Sequence, residues 1–272
     1  MSALFDKQFA VIGVGNIGRI LLERLQHAGI PQAHLAVCDS DAARASAVAE
    51  EYGVRAALLD EDAICQADVW LIATSPGSVA GVVKALAAAM RPGQVVLSFA
   101  AGVPLTRLEA LVPGGVSVVR IMPNAPSLVG RGMNPVVYGA SVTPDARAVV
   151  EAVLAAMGDA LEVADDQMNW CVGLSGAALR SLVPVLQGMT QAGVEAGLPE
   201  RDARRVAAQV MLGTAAVALE TNLGWEEIKA LTPMQTVDEA AVAQVFLEAA
   251  RGAKAKVDGL QHKLWGAEAP LS

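Results

Sequence analysis

Aromatic and charged side chains are scarce in this sequence. Of its 272 residues, 4% are aromatic and 18% are charged, and histidine occurs only three times. The formal net charge is −8, and no run rich in lysine and arginine offsets it. Nucleic acids select for basic patches on their binding proteins, so we expect no nucleic-acid partner.

Cysteine is rare as well, and its positions argue against two kinds of site. Cys38, Cys65 and Cys171 are odd in number and far apart, so they form neither a CxxC metal motif nor a disulfide framework. The opening residues MSALFDKQ lack the basic stretch and the apolar run of a signal peptide. The longest uncharged late segment, 206–219, is too short to span a bilayer. We therefore expect a cytoplasmic protein in a reducing compartment, without a membrane partner.

Apolar residues, by contrast, make up 54% of the chain, which is enough for a sizeable core. In the first half they form short runs typical of strands that are buried on both faces. These runs cover residues 9–14, 34–39, 68–73, 94–100 and 117–122. Helical patterns cover 16–28, 41–52, 78–90 and 144–157, and the last is flanked by further candidate strands at 134–140 and 160–164. This alternation predicts an α/β fold, a Rossmann-type doubly wound parallel sheet.

The second part of the chain has a different pattern. After residue 164 no strand pattern follows, and Pro184 should kink or end the first of several Ala-rich helices. Those helical stretches cover 175–196, 200–220 and 235–265. We predict a Rossmann-type domain at 1–164 and an all-α dimerisation domain at 165–272. Because helices such as AAQVMLGTAAVAL have almost no polar face, we also predict a homodimer or a higher homo-oligomer.

A glycine-rich turn stands where the first strand meets the first helix. Gly13, Gly15 and Gly18 form G-x-G-x-x-G in the stretch AVIGVGNIGRILLERL. The first glycine allows the tight turn, the second lets the backbone approach a pyrophosphate, and the third lets helix and strand pack closely. The helix N-terminus offers unpaired N–H groups to the phosphates. The motif predicts a dinucleotide cofactor, and the alternative is a glycine-rich turn without a ligand.

Asp39 ends the second strand, about twenty residues after the glycines, where a ribose-binding acid belongs. Its carboxylate can accept hydrogen bonds from the ribose diol, and it would repel the 2′-phosphate of NADP. We therefore expect NAD(P)H as the cofactor with NADH favoured, although Ser40 and Arg44 soften that repulsion. The alternative role of Asp39 is the N-cap of helix 41–52, a role that Asp41 or Ser40 can also serve.

A stiff loop follows the predicted strand 117–122. Pro123 and Pro126 flank Asn124 at the carboxyl end of the strand, the edge where doubly wound sheets bind ligands. Such a loop can hold an amide side chain and backbone carbonyls against a nicotinamide ring. The alternative is a structural turn, since Asn-Ala-Pro is ordinary turn chemistry.

Short motifs spread along the chain point to one family. They are GVGNIG at the start, A-x-S-P at 73–76, S-x-A-A-G at 98–102, R-x-M-P-N-x-P at 120–126, V-G-x-G-M at 129–133, L-S-G at 174–176 and A-G-V-x-x-G-L-P at 192–199. With them the sequence resembles pyrroline-5-carboxylate reductase over almost its whole length. The resemblance implies a Rossmann domain, a helical dimerisation domain, and hydride transfer from NAD(P)H to a cyclic imine carbon. It also implies an active site where one subunit's cofactor domain meets the helical domains of the dimer.

The motifs and the resemblance together give a set of candidate site residues. The cofactor-binding candidates are Gly13, Gly15, Asn16, Ile17, Gly18, Asp39, Ser40, Ala73, Thr74, Ser75, Pro76, Ala100, Ala101, Met122, Pro123 and Asn124. The catalytic candidates are Ser175, Thr236 and Arg180, and no metal-ligand pattern is found. Ser175, Thr236 or a water beside them is the candidate proton donor to the imine. Arg180 either pairs with a substrate carboxylate or extends to the surface.

Two loops that the resemblance assigns to the substrate depart from the family pattern. The family's S-G-S-G-P-A-Y reads SGAALRS at 175–181, and its S-P-G-G-T-T reads TPMQTV at 232–237. In the family these loops hold the substrate carboxylate through hydroxyls and glycine-flanked backbone amides. We therefore expect Met234, Gln235 and Val237 to make pyrroline-5-carboxylate itself a poor substrate.

Three hypotheses about function follow from these patterns. The first is an NAD(P)H-dependent imine reductase that acts on pyrroline-5-carboxylate or on a related cyclic imine. The second is a dehydrogenase or reductase for a different amino or hydroxy acid, its specificity reshaped by the altered loops. The third is a cofactor-binding protein whose catalytic pocket has decayed. Cofactor oxidation with a panel of cyclic imines separates the three.

Overall fold

The computed structural model of the chain describes Leu4 and residues 6–266. The described chain divides into two compact units. The first runs to Ala177 and resumes at Arg251, and the second is Ala178–Ala250. A domain boundary at residue 164, which the sequence suggests, stays a prediction.

An eight-stranded sheet forms the centre of the first unit, in the order β3-β2-β1-β4-β5-β6-β7-β8. The strands are β1 Phe9–Ile12, β2 Leu35–Cys38, β3 Arg55–Ala56, β4 Val69–Ile72, β5 Val95–Ser98, β6 Ser117–Ile121, β7 Gly132–Tyr138 and β8 Gly158–Glu162. The first six strands are parallel to one another, which confirms the Rossmann-type sheet expected from the sequence.

The last two strands change the direction of the sheet. Strand β7 runs antiparallel to β6, and β8 pairs in parallel with β7. A parallel neighbour needs a crossover of a dozen or more residues, whereas only a short loop with a 3₁₀ turn at Ala125–Val129 joins β6 to β7. The short connection therefore accounts for this departure from an all-parallel sheet.

Helices cover both faces of the sheet. They are α1 Asn16–His27, α2 Ala42–Tyr52, α3 Asp62–Cys65, α4 Pro76–Ala87, α5 Leu105–Glu109, α6 Pro144–Met157 and α7 Met168–Cys171. In β1, Phe9 and Val11 belong to one buried apolar cluster, and Ala10 and Ile12 belong to another. A strand buried on both faces reads as an unbroken apolar run, which is why the sequence reveals these strands.

The second unit is helical. It contains α8 Ala178–Glu195, α9 Glu200–Glu220, α10 Trp225–Ala230 and the first part of α11 Glu239–Trp265, which ends in the first unit. Helix α8 continues through Pro184, so the proline does not end the helix. A Cβ on Gly193 would lie 2.7 Å from that of Ala203, so α8 and α9 approach each other closely. Within the described residues, none of the helices has the length and apolar character needed to cross a membrane.

Candidate functional site

The carboxyl ends of the parallel strands meet at one edge of the sheet. Ile12 of β1 is in register with Cys38 of β2 and with Ile72 of β4, and Ile72 is in register with Ser98 of β5. A cleft of about 550 Å³ opens at this edge. Its lining residues are Ile12, Gly13, Gly15, Cys38, Asp39, Ser40, Arg44, Leu58, Leu59, Ala73, Thr74, Ser75, Ser78 and Val82. The cleft lies where doubly wound sheets bind their ligands.

The three motif glycines have different surroundings in the turn after β1. Gly13 has φ +91°, and a Cβ on it would lie 2.8 Å from the backbone of Ala73. A Cβ on Gly18 would lie 2.1 Å from the carbonyl oxygen of Gly13. A Cβ on Gly15 would meet no atom within 4 Å, and Gly15 lines the cleft. Packing of the chain therefore requires the first and third glycines, whereas the second leaves bare backbone facing the cleft.

Helix α1 presents its N-terminus to the same cleft. Gly15 is its N-cap, and within the described residues neither a capping side chain nor an acidic residue occupies its first turn. The first N–H groups and the positive end of the helix dipole therefore suit an anion such as a pyrophosphate. Asn16 is exposed, and Ile17 packs partly buried against the core.

Asp39 stands opposite the glycine turn and has a dense set of hydrogen bonds. Its Oδ2 accepts the N–H of Val14 at 2.9 Å, which ties β2 to the turn. Its Oδ1 accepts the N–H of Asp41 at 3.0 Å and a guanidinium N–H of Arg44 at 2.8 Å. The hydroxyl of Ser40 donates to the same oxygen at 3.3 Å. Asp41, not Asp39, caps α2, because the Asp41 carboxylate accepts the N–H of Arg44 at 3.1 Å.

Asp39 is ionised in this setting. Its partial burial would raise the pKa of the carboxyl, but the hydrogen bonds from Arg44, Asp41 and Val14 outweigh burial and lower that pKa below its ordinary value. The carboxylate thus remains an acceptor at neutral pH. Only 7% of its side chain is exposed, against 47% for Arg44, so the arginine covers the outer side of the carboxylate.

The loop after β4 forms another wall of the cleft. The N–H of Ala73 donates to the carbonyl oxygen of Ile12 at 2.8 Å, which joins this loop to the end of β1. Ser75 is the N-cap of α4 and Pro76 is its first residue. The hydroxyls of Ser75 and Ser78 lie 2.9 Å apart. The N-terminus of α4 therefore places two hydroxyl groups at the cleft, where they could bind phosphate or ribose oxygens.

The loops after β5 and β6 lie outside the lining of this cleft. Ala100 and Met122 are buried in one apolar cluster, and Ala101 packs half-buried against it. Asn124 has a defined position, because its Oδ1 accepts the N–H of Met133 at 3.1 Å. Its Nδ2 donates to the carbonyl oxygen of Ser175 at 3.5 Å. The structure thus brings the predicted nicotinamide loop next to one of the three catalytic candidates.

The catalytic candidates fall in both units. Ser175 is buried in the first unit, in a π-helical turn at Val172–Gly176, and its hydroxyl donates to the carbonyl oxygen of Cys171 at 2.8 Å. Arg180 and Thr236 are exposed in the second unit, on α8 and between α10 and α11. The roles of all three residues stay predictions.

Sequence reasoning missed part of the cleft wall. Leu58 and Leu59 line it just after β3, a two-residue strand with an exposed Arg55, and so short a strand leaves no readable pattern. Ser78 lies one helical turn beyond Ser75 in α4, and that spacing could have indicated it. Among the described residues, no group of three or more His, Cys, Asp and Glu side chains is placed to hold a metal ion.

Two family models match the chain, one in each half. Residues 8–102 match the model described as NADP oxidoreductase coenzyme F420-dependent. Residues 165–253 match the model described as pyrroline-5-carboxylate reductase dimerisation.

Individual relatives carry the same family name as the second model. The pyrroline-5-carboxylate reductase of Pseudomonas aeruginosa is 31% identical over 86% of this chain and 87% of its own length. That of Escherichia coli is 30% identical over 79% and 81%. The solved pyrroline-5-carboxylate reductase of Coxiella burnetii shares the fold, with a TM-score of 0.77, 24% identity and coverage of 93% and 98%. The enzyme of Plasmodium falciparum, solved with NADP bound, has a TM-score of 0.83 at 16% identity, with coverage of 95% and 99%.

The sheet, the glycine turn and the uncapped helix define a Rossmann-type dinucleotide-binding protein. The sequence identity to the relatives and the share of the chain that they cover then identify the family. The chain belongs to the pyrroline-5-carboxylate reductase family, as its motifs indicate.

Proposed function

We propose that this protein reduces the C=N bond of a cyclic imine, pyrroline-5-carboxylate or a close relative of it, with NAD(P)H as the hydride donor. The observation that carries the proposal is the bare backbone at Gly15, which faces a cleft of about 550 Å³ beside an uncapped helix N-terminus. Family membership supplies the class of reaction.

The residues present fit a dinucleotide. The backbone of Gly15 and the first turn of α1 would hold the pyrophosphate, and Asp39 would accept hydrogen bonds from the adenosine ribose. When bound, NAD(P)H supplies a hydride to the substrate carbon. The protein's share is to orient the ring and the imine and to exclude water. Asn124 is held for that task by the N–H of Met133, with a weaker bond to the Ser175 carbonyl oxygen.

NADH is the cofactor we propose for this site. A 2′-phosphate would approach the Asp39 carboxylate, whose lowered pKa keeps it charged. Arg44 already neutralises that carboxylate through their ion pair and would have to leave it to meet a phosphate. NADPH binding therefore costs an existing charge-assisted hydrogen bond. NADH binding does not, because Oδ2 of Asp39 accepts, within the described residues, only the N–H of Val14 and has a further lone pair for a ribose hydroxyl.

Proton delivery is proposed for Thr236 rather than Ser175. The hydroxyl of Ser175 already donates to the carbonyl oxygen of Cys171, so it would have to break that bond to serve an imine nitrogen. Arg180 is the proposed partner of the substrate carboxylate, because guanidinium and carboxylate pair through two parallel hydrogen bonds.

We also propose that the protein is a homodimer in the cytoplasm. The match of residues 165–253 to a dimerisation model supports the dimer. So do the large apolar side chains exposed on α8, α9 and α11, among them Val183, Val206, Leu219 and Val245.

The full-length protein and a panel of cyclic imines test the proposed reaction. The panel includes five- and six-membered rings, each with and without a carboxylate, and loss of NADH absorbance is followed. We expect turnover of carboxylated cyclic imines. Oxidation of hydroxy acids with NAD⁺ and no turnover of any imine would instead identify a dehydrogenase of another class. Tight NADH binding without any turnover would identify a cofactor-binding protein.

A further inference from the structure

Arg120 is an unusual residue for the centre of this sheet. It is 1% exposed in β6, between the buried apolar residues Val119 and Ile121. Arginine is almost never fully buried unless it is paired. Here Nη1 donates to Oδ1 of Asp165 at 2.7 Å and Nη2 donates to Oδ1 of Asn169 at 3.1 Å. A buried ion pair gives little stability beyond that of apolar side chains of the same volume, so the arginine points to another role.

The hydrogen bonds continue from Arg120 to other segments. Oδ2 of Asp165 accepts the N–H of Leu105 at 3.0 Å, at the start of α5. Nδ2 of Asn169 donates to Asp258 at 3.0 Å and to Gln261 at 2.9 Å, both on the last part of α11. One guanidinium thereby joins β6 to α5, to the segment 165–169 and to the end of α11.

Two of these segments lead directly to the proposed site. Strand β6 continues into the loop that carries Asn124, and residues 165–171 continue into the turn that carries Ser175. The two segments meet again where Nδ2 of Asn124 donates to the Ser175 carbonyl oxygen. That distance is 3.5 Å, beyond the ordinary range of about 2.7–3.2 Å, so the bond is weak. Stronger contacts elsewhere must fix the relation of the two segments.

We infer that Arg120 is a positioning residue, whose buried guanidinium holds the Asn124 loop and the Ser175 turn in register through Asp165 and Asn169. The inference rests on the proposed function, because both segments belong to the proposed site. Because Arg120 is 1% exposed, its guanidinium has almost no surface with which to touch substrate or cofactor. It acts on the reaction by fixing the groups around the nicotinamide.

Three variants of the full-length protein test this role. Arg120→Met removes the charge but retains an unbranched side chain, and Arg120→Lys retains the charge but loses the planar fork. Arg147→Met is the matched control, since Arg147 is a half-exposed arginine on α6 that pairs with Glu151 and with Glu162 of the edge strand β8. The measurements are kcat, the KM for the imine, the Kd for NADH, and amide hydrogen exchange.

We expect kcat of Arg120→Met to fall about tenfold to a hundredfold, because a small misplacement in an active site has that effect. The Kd for NADH should stay at the wild-type value, since Gly15 and Asp39, which are proposed to hold the pyrophosphate and the ribose, follow β1 and β2 and not β6. Arg120→Lys should restore part of kcat, and Arg147→Met should leave it unchanged. Wild-type kcat in Arg120→Met, with only a lower melting temperature, would show a merely structural residue and overturn the inference.

Hydrogen exchange decides the inference without any turnover. In Arg120→Met, amides at 168–176 should exchange faster than in the wild type, while those at 9–19 stay unchanged. If that variant does not fold, Asn169→Ala should show the same pattern, because it removes one of the two side chains through which Arg120 holds the Ser175 turn. Unchanged exchange at 168–176 overturns the inference. A wild-type protein that reduces no imine refutes the proposed function instead.

Discussion

At the scale of single residues, a substitution at Gly15 should change cofactor binding without changing the stability of the fold. Its backbone faces the cleft, and an added side chain would meet no protein atom within 4 Å. Gly15→Val should therefore leave the melting temperature close to that of the wild type. The valine side chain would stand between the turn and the pyrophosphate. NADH affinity should therefore fall by at least about tenfold, which is the effect of losing one charge-assisted hydrogen bond. Calorimetric titration and thermal unfolding of the same sample measure both quantities.

Gly18 is the matched control for that experiment. Its Cβ would lie 2.1 Å from the carbonyl oxygen of Gly13 and would force α1 away from β1. Gly18→Ala should therefore lower the free energy of unfolding by about 1–3 kcal/mol, the ordinary cost of overpacking. A folded Gly15→Val protein with wild-type NADH affinity would refute the cofactor assignment.

Asp39 is the residue on which the choice of cofactor depends. In Asp39→Ala the ribose hydroxyls lose their acceptor, which should weaken NADH binding by about 1–3 kcal/mol. The same change releases Arg44 from its ion pair, so NADPH binding should improve relative to NADH. Steady-state kcat/KM with each cofactor measures the ratio. Asp41→Asn is the control, because asparagine also caps a helix and leaves Asp39 in place. Equal ratios in wild type and Asp39→Ala would contradict this account.

At the scale of elements, the loop 232–237 tests the substrate prediction. Met234 and Val237 are exposed there, where the family pattern has glycine and threonine. Replacing 234–237 by Gly-Gly-Thr-Thr removes the side chains that cover the backbone amides at 234 and 235 and adds a hydroxyl at 237, so the substrate carboxylate gains these partners. The kcat/KM for pyrroline-5-carboxylate should rise, with no change in NADH affinity. Leu231→Thr, an exposed position just before the loop, serves as the control. No gain from a folded loop variant would show that these side chains do not limit the substrate.

The individual strands also show which parts of the fold can be predicted from the sequence. Strands such as β1 and β4 are four-residue apolar runs buried on both faces, and their periodicity predicts them. Strand β3 has two residues and an exposed Arg55, so no pattern marks it. The reversal at β7 depends on the length of the loop before it, which a strand prediction does not use.

The site, like the fold, can be predicted only in part from the sequence. Gly13, Gly15 and Asp39 follow from spacing alone, because the motif and the next strand end are local signals. The bond between Asn124 and Ser175 joins residues 51 positions apart, and no local pattern encodes it. In the sequence, Arg120 is recognisable only as the first residue of the family motif R-x-M-P-N-x-P. Its burial and its role at a junction of four segments appear only in the folded chain.

At the scale of the whole molecule, the second unit exposes the apolar side chains of Val206 and Val210, which lie one turn apart on α9 at 55% and 50% exposure. A partner subunit that covers them would remove that surface from water. Sedimentation at micromolar concentration should show a dimer for the wild type. Val206→Glu with Val210→Glu should shift it toward monomer. Leu161→Glu, at an exposed leucine on β8, should not. A well-folded wild-type monomer would contradict the proposed assembly.

The proposed reaction requires a hydride to pass from the cofactor to the carbon of a cyclic imine. The most direct measurement uses NADH that carries deuterium at its transferable position, with pyrroline-5-carboxylate and related cyclic imines as acceptors. Mass spectrometry of the product then locates the label. We expect a cyclic amine that carries a single deuterium at the former imine carbon. Unconsumed NADH with every cyclic imine, or a product without deuterium, would contradict it.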